Sequence, residues 1–356
     1  MTIILKRTIH PVGQGAFYNE CFYKEECRVP EVNVFYDCGS DTTKSGIKTA
    51  QLDVNKDVDY FFLSHFHSDH FNGNEKFFND SLKIEKLIMP QLSVEEAIYC
   101  LLLCNPNCKK AVKTLCALFS NPWSVAKQVF VVERIQDSPN NPFSPLTYSI
   151  GNNGPFTIHS FDEIPIRVNE KPIWKYVPVF HNSIDSSEVS KAISRLKNDP
   201  LFSGHTKTPE QMLKHLIYLL QNKYKSARHL LTGFSNGSQN DFSMMVVSVP
   251  AKNDDENDEH LKPGALFTGD IPMNKVRSTI GSILTRFGHL LGTYQVPHHG
   301  SRHNFISGCF PTNEIHFLSA GIKNRYGHPT ATFTGLSKLY IVTEDVKTKF
   351  TMNFKI

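Results

Sequence analysis

The chain has 356 residues, enough for one large α/β domain with insertions or for two modest domains. Its hydrophobic fraction of 40% and charged fraction of 20% are those of an ordinary soluble globular protein, and no run of about eighteen apolar residues is present to cross a membrane. A formal charge of +4 admits an anionic substrate without announcing a nucleic-acid binder.

The opening Met1-Thr2-Ile3-Ile4-Leu5-Lys6 lacks the charged-then-apolar design of a signal peptide and reads as a first strand. Ile3 to Ile9 alternates, and Gly13-Gln14-Gly15 is a turn; no Lys-Ser/Thr pair follows it, so a phosphate loop is the weaker reading. Glu31 to Gly39 is a strand that ends in an acid, Asp37, and a glycine. Tyr60 to Leu63 is a buried strand that runs into Ser64-His65-Phe66-His67-Ser68-Asp69-His70. In extended chain, His65 and His67 fall on one side. Asp69 and His70 follow as the chain bends towards a helix and reach a second point a few Å away. The spacing suits two adjacent divalent cations, and imidazole with carboxylate favours zinc, with manganese or iron as alternatives.

Phe71-Asn72-Gly73-Asn74 opens a short helix, and Ile84 to Met89 is the next strand. Residues 93–129 have helical period, with Val94, Ala97, Ile98, Leu101 and Leu102 on one face. A second helical block runs from about 186 to 228, broken at Pro200 and Pro209. We expect one domain over 1–356, with these blocks as helical insertions at about 92–130 and 186–228. They would either cap a site or offer a surface to a protein partner. Cys100, Cys104 and Cys108 recur every four residues and read as buried thiols on one helix face. The eight cysteines have no compact disulfide spacing, which fits a reducing cytoplasm.

Phe156 to Phe161 and Trp174 to His181 are strand-like. His181 ends its apolar strand as the earlier ligands do, which makes it the candidate third histidine on the first cation; His159, inside its strand, is the weaker competitor. Phe242 to Val249 is a strand, and Ala251 to Glu259 a solvated acidic turn without the geometry of a calcium loop. In Gly264-Ala265-Leu266-Phe267-Thr268-Gly269-Asp270, a strand delivers an acid through a glycine that permits close backbone approach. Asp270 suits a carboxylate bridging both cations. Tyr294 to Ser301 ends a strand at Pro297 and presents His298, His299 and Ser301 in a tight turn. Ile315 to Ala320 is a further strand, followed by Gly321 to Pro329.

His-x-His-x-Asp-His, Thr-Gly-Asp and His-His-Gly-Ser in this order resemble the metallo-β-lactamase-fold hydrolases. Val296-Pro297-His298-His299-Gly300-Ser301 and Asn324-Arg325-Tyr326-Gly327-His328-Pro329 are similar to one branch of them, the metallo-hydrolase domain of the competence DNA-internalisation proteins and their standalone relatives. The stretch from Ser235 to Ser243 looks like the same branch's Asn-x-x-Ser entry to the strand before the bridging acid. The resemblance covers about residues 8–80 and 235–335 and leaves out the helical blocks. It implies a four-layer αββα sandwich with the site at the sheet edge. It also implies His65, His67 and His181 on one metal, and Asp69, His70 and one of His298 or His299 on the other, with His299 favoured and Asp270 as the bridge. Asp37 would orient the metal loop. His328 is open between an extra ligand, an acid facing phosphate and a structural part of its turn. Ser301, Asn324 and Arg325 could contact an anionic substrate, Arg325 through paired donors. The competence proteins' membrane segments are absent, so DNA uptake is not implied.

Two cations about 3.5 Å apart activate a shared water as hydroxide near neutral pH and polarise the bond under attack. Asp69 or Asp270 would orient that nucleophile, and His298 or His328 would protonate the leaving group. The expected activity is therefore metal-dependent hydrolysis of a phosphodiester, in a nucleic acid or a nucleotide-derived molecule. Ester, lactone or thioester hydrolysis on the same site is the alternative, and a partner-binding protein with a structural metal is a third reading.

Overall fold

The computed structural model describes residues 2–42, 57–75, 83–135, 155–181, 183–203, 208–232, 239–251, 262–325 and 327–356. Seven strands build the first half: β1 (Ile3–Ile9), β2 (Tyr18–Lys24), β3 (Val32–Tyr36), β4 (Val58–Phe62), β5 (Ile84–Pro90), β6 (Ala126–Val132) and β7 (Phe156–Ile158). Seven more build the second: β8 (Ile164–Val168), β9 (Lys171–Phe180), β10 (Met244–Pro250), β11 (Gly264–Phe267), β12 (Leu291–Gln295), β13 (Ile315–Ser319) and β14 (Lys338–Val342). The last strand, β15 (Phe350–Lys355), returns to the first sheet and pairs antiparallel with β1. The orders are β15-β1-β2-β3-β4-β5-β6-β7 and β14-β13-β12-β11-β10-β9-β8. Each sheet is antiparallel at its start and parallel thereafter, from β3 in one and from β11 in the other.

Side-chain alternation shows how the sheets stack. On β9, Trp174, Tyr176 and Phe180 join the cluster between the sheets, where Tyr176 lies 5.1 Å from Phe62 of β4. The intervening Val177 and Val179 point the other way and join Ile280, Ile283 and Phe287 of a helix spanning Arg277–Phe287. On β10, Met244 and Val246 face inward, and Met245, Val247 and Val249 face that helix. Four further helices, α1 (Val94–Leu102), α2 (Lys109–Ser120), α3 (Ser186–Lys197) and α4 (Pro209–Asn222), share the first cluster with β3 to β6; we label the Arg277–Phe287 helix α5. The result is the expected four-layer αββα sandwich. Among the described residues, no helix is long and apolar enough to cross a membrane.

The two helical blocks pack on each other, α1 against α3 and α4, and α2 against α4. Local chemistry starts these helices where it should. Ser93 and Glu96 form a reciprocal capping box on α1, Thr208 and Gln211 do the same on α4 with Pro209 in its first turn, and Asp185 caps α3.

The helical reading of 93–129 runs too far, because Ala126–Val132 is β6, paired in parallel with β5. Its apolar, valine-rich run after Pro122 fits a pleated surface better than a helix. The cysteine spacing does not mark one helix face either. Helix α1 ends at Leu102, Cys104 lies in the connection and Cys108 holds the N-cap position of α2, although Cys100 and Cys104 are buried thiols. The helix after Asp270 begins at Arg277. The acidic turn beyond Ala251, Ser235 to Ser238, and Tyr326 lie outside the described residues.

A buried polar network ties the sheets together. Arg7 of β1 donates from Nε to Glu20 Oε1 of β2 at 2.6 Å, and also to Thr293 Oγ1 of β12 and the Pro263 carbonyl. The other Glu20 oxygen accepts from Tyr176 of β9 and Ser248 of β10, each at 2.6 Å. Removing one partner strands a charge in the core. Arg7→Met is expected to destabilise the fold by about 3–5 kcal/mol in urea denaturation, and adding Glu20→Gln to recover part of that loss.

Candidate metal centre

Every group in the cluster follows the carboxyl end of a strand. Asp37 follows β3, Ser64 to His70 follow β4, Asp270 follows β11, and His298 and His299 follow β12. Ligand sites of open α/β sheets form at such edges. Asp69 and His70 sit in a single helical turn, Ser68–Phe71. Beneath them lies the Gly13-Gln14-Gly15 turn. Ala16 N–H donates to the Asp69 carbonyl and Cys38 N–H to that of His70. A Cβ on Gly39 would stand 2.3 Å from the Asp69 carbonyl, so only glycine fits there.

Three imidazoles have their Nδ1 atoms engaged outward. His70 Nδ1 donates to Asp37 Oδ2 at 2.7 Å. His299 Nδ1 donates to the Ser319 carbonyl at 2.8 Å. His65 Nδ1 lies 2.9 Å from Ser64 Oγ, which itself donates to Asp37 Oδ2 at 2.6 Å and so accepts from the ring. All three Nε2 atoms therefore face inward, towards two carboxylates. Asp270 Oδ1 is 3.3 Å from His70 Nε2, and its Oδ2 is 3.7 Å from His299 Nε2 and 3.8 Å from His65 Nε2. Asp69 Oδ2 is 3.1 Å from His299 Nε2 and 4.0 Å from His70 Nε2.

Two sets of atoms, His65–His70–Asp270 and Asp69–His70–His299, each lie within 4.8 Å of one another and could hold a cation. His70 belongs to both. His65 Nε2 is 3.0 Å from His67 Nδ1, near enough for the two to meet one ion. His181 is buried just beyond β9, with Nδ1 3.3 Å from Thr279 Oγ1 on α5, and belongs to neither set. His159 is on the surface, paired with Glu133 at 2.7 Å. The donor set fits a divalent metal. His70 Nε2 and Asp270 Oδ1 are buried 3.3 Å apart without a well-aligned hydrogen bond, so a proton or a cation is needed to offset their burial.

His298 stands at the rim with its ring Nε2 3.9 Å from Asp270 Oδ2 and its Nδ1 3.1 Å from the Asn240 amide. His328 follows it, ring centroids 5.3 Å apart. Both His298 and His299 have positive φ, 49° and 53°, an uncommon backbone for residues with a Cβ and one found at functional sites. Asn324 donates to the Gly321 and His328 carbonyls and accepts from His328 N–H, so its amide holds the Gly-His-Pro turn. Ser301 is buried and accepts from His303 N–H, and Arg325 is exposed. The spacing of ligand-type residues could not have drawn attention to Ser64, Ser319 or Asn304, which are polar partners of the ligands rather than ligands. Asn240 and Ser243 did carry a signal, the Asn-x-x-Ser pattern. Ser243 Oγ accepts from Asp270 N–H at 3.3 Å, and Asn304 donates to the Asp270 carbonyl at 2.9 Å.

Burial lowers His65 far below the ordinary histidine range, with the neighbouring His70 adding to it. Burial opposes charge on His70 as well, but Asp270, Asp37 and Asp69 together raise it well above that range. His299 is raised in the same way, against its burial, by Asp270 and Asp69. Burial pushes Asp37 up. Desolvation, then the charges on His298 and His299, push His328 down to about 4.

No protein-family model matches the chain. No curated protein matches it either. Among solved structures it is similar to that of a long-form RNase Z from yeast, at 10% identity and a TM-score of 0.33, covering 90% of this chain. The chain spans 36% of the length of that protein.

These pKa directions set a test. Three carboxylates raise His70 above the ordinary histidine range, so a cation entering the cluster competes with a proton there. Zinc titration calorimetry in two buffers of different ionisation enthalpy should show release of at least one proton per chain, with uptake weakening as pH falls. Asp37→Ala, which frees the His70 ring, should weaken uptake by about 10–100-fold while leaving the circular dichroism spectrum unchanged.

Proposed function

We propose that the chain is a metal-dependent hydrolase that takes two divalent cations, zinc first with manganese or iron as alternatives, and cleaves phosphodiesters of a nucleic acid or a nucleotide-derived molecule. One observation carries the reading: three inward Nε2 atoms, with tautomers set by Asp37, Ser64 and Ser319, converge on Asp69 and Asp270. His65, His67, His70 and His299 with Asp69 and Asp270 would hold the ions. The bound pair supplies Lewis acidity towards a phosphoryl oxygen and acidifies a water.

The chain's own groups do the rest. Asp270 lies between the histidines of both sets and keeps them at a shared centre, while Ser243 and Asn304 fix its backbone. Asp69, 3.1 Å from His299 Nε2, would orient a nucleophile. The Asn240 amide nitrogen lies 3.1 Å from His298 Nδ1 and 3.3 Å from its Nε2 and holds the ring beside the centre, where it would give a proton to a leaving oxygen. Arg302, Lys323 and Arg325 are exposed on the loops that follow the His-His turn and β13, where they would meet an anionic substrate.

Metal content by mass spectrometry together with bis-p-nitrophenyl phosphate turnover tests this. We expect about two metals per chain and a loss of more than about 10³-fold in kcat for Asp270→Ala. His298→Ala should lower turnover by about 10²–10⁴-fold on a diester with an alkoxide leaving group, and far less when nitrophenolate leaves, because nitrophenolate needs no proton. Turnover confined to acyl esters would replace the phosphodiester reading with ester hydrolysis. A chain that stays inactive after zinc or manganese loading would overturn the catalytic reading.

A further inference from the structure

The helical blocks carry a charge pattern that the metal centre does not use. Residues 105–120 hold Lys109, Lys110 and Lys113 and no acid. Residues 211–232 hold Lys214, Lys223, Lys225 and Arg228 and no acid. These seven cations exceed the +4 of the whole chain, so the remaining residues are net negative. A solvated helix face ordinarily mixes signs, as α3 does where Lys191 pairs with Glu188 at 2.8 Å. Among the described residues, Lys109, Lys113, Lys223 and Lys225 are exposed and form no ion pair.

The two segments form one surface. Tyr224 donates to the Pro106 carbonyl at 2.9 Å, Arg228 donates to Asn107, and Lys109 lies 5.7 Å over the Tyr224 ring. Lys113 is one turn beyond Lys109. Aromatic faces stand among the cations. Tyr218 is 48% exposed, large for a tyrosine on a helix, and Lys223 lies over its ring. Helix α2 then leads from this patch to the metal centre, since Phe119 packs 5.1 Å from Phe66, between His65 and His67. Lys109 and Phe119 are separated by about 15 Å of helix.

We infer that this surface is a docking site for a single-stranded nucleic-acid segment, with phosphates on the lysines and bases against Tyr218 and Tyr224. Cations around the exposed ring of Tyr218 and the half-buried ring of Tyr224 suit a single strand, whose bases are free to stack. The inference rests on the phosphodiesterase reading for its purpose, while the binding itself can be measured separately.

The test measures binding of a fluorescent 20-nucleotide single strand to metal-free protein across a salt series. The comparison is with the variant Lys109→Gln/Lys113→Gln/Lys223→Gln/Lys225→Gln and with Tyr218→Ala, after circular dichroism shows both folded. The lysine variant should bind at least tenfold more weakly, with its log–log salt slope smaller by about 3, near 0.7 per lost phosphate contact. Tyr218→Ala should weaken binding by about 5–100-fold with little change in slope. Bis-p-nitrophenyl phosphate, which cannot span the distance from the centre to the helices, should turn over at the wild-type rate in both variants. Undiminished binding by the lysine variant, or equal binding of polyglutamate by the wild type, would overturn the docking site. If binding behaves as expected and no variant or wild type hydrolyses the diester, the hydrolase reading fails and the docking site stands.

Discussion

The candidate centre depends on one buried carboxylate. Asp37 Oδ1 accepts from Ser64 N–H at 2.7 Å, and its Oδ2 accepts from Ser64 Oγ and His70 Nδ1. Three donors from the loop after β4 thus meet a group fixed at the end of the adjacent β3, whose own N–H donates to Phe62 at 2.9 Å. That single acid sets the course of the loop, the tautomer of His70 and, through Ser64, that of His65. Burial raises its pKa, so ionised Asp37 costs stability above its unfolded value, and the cost is relieved as pH falls through the raised folded value.

The second requirement is register between the sheets, because the cluster draws on both. His65, His67, Asp69 and His70 hang from the first sheet, and Asp270, His298 and His299 from the second. Met244 N–H donates to the Ser64 carbonyl at 2.8 Å, and Tyr36 donates to the Met244 carbonyl at 3.0 Å, so β10 is pinned to the metal loop itself. Further along the sandwich, the Arg7–Glu20 network fixes the same pair of sheets through five side chains and a carbonyl. Directional hydrogen bonds at two points remove the freedom to slide that apolar packing alone would leave.

What could be read from sequence was what is local. An apolar strand that ends in imidazoles or acids is visible in one window, and β4, β11 and β12 each show it. The strand β6 was hidden because a helical period just ahead of it carries into its start, and only the β-branched run beyond Pro122 betrays it. The strands β14 and β15 gave less still, being half-exposed with polar residues interspersed, and β15 is specified by pairing with β1 at the far end of the chain. Most of the groups that hold the ligands were invisible for a similar reason. Ser64 and Ser319 act through a hydroxyl and a backbone carbonyl, and neither leaves a spacing in the sequence. The Asn-x-x-Ser pattern did point to 240–243, though not to the work of Asn240 on His298.

The helical blocks also have a place in the site that charge does not describe. In extended chain, neighbouring side chains face opposite ways, so between His65 and His67 the ring of Phe66 turns away from the ligands and packs on Phe119 of α2. The other loop is held in the same manner, with Phe242, between Asn240 and Ser243, against Tyr99 of α1. Two loops from two sheets each send one aromatic ring into one helical cluster, whose members are buried together. The strands deliver the ligands to an edge, where sheets alone would leave the loops to fray. The helices give those loops an apolar back wall, so that polar groups on the opposite face keep fixed positions. Helices of this kind are part of the centre's construction even though none of them contributes a ligand.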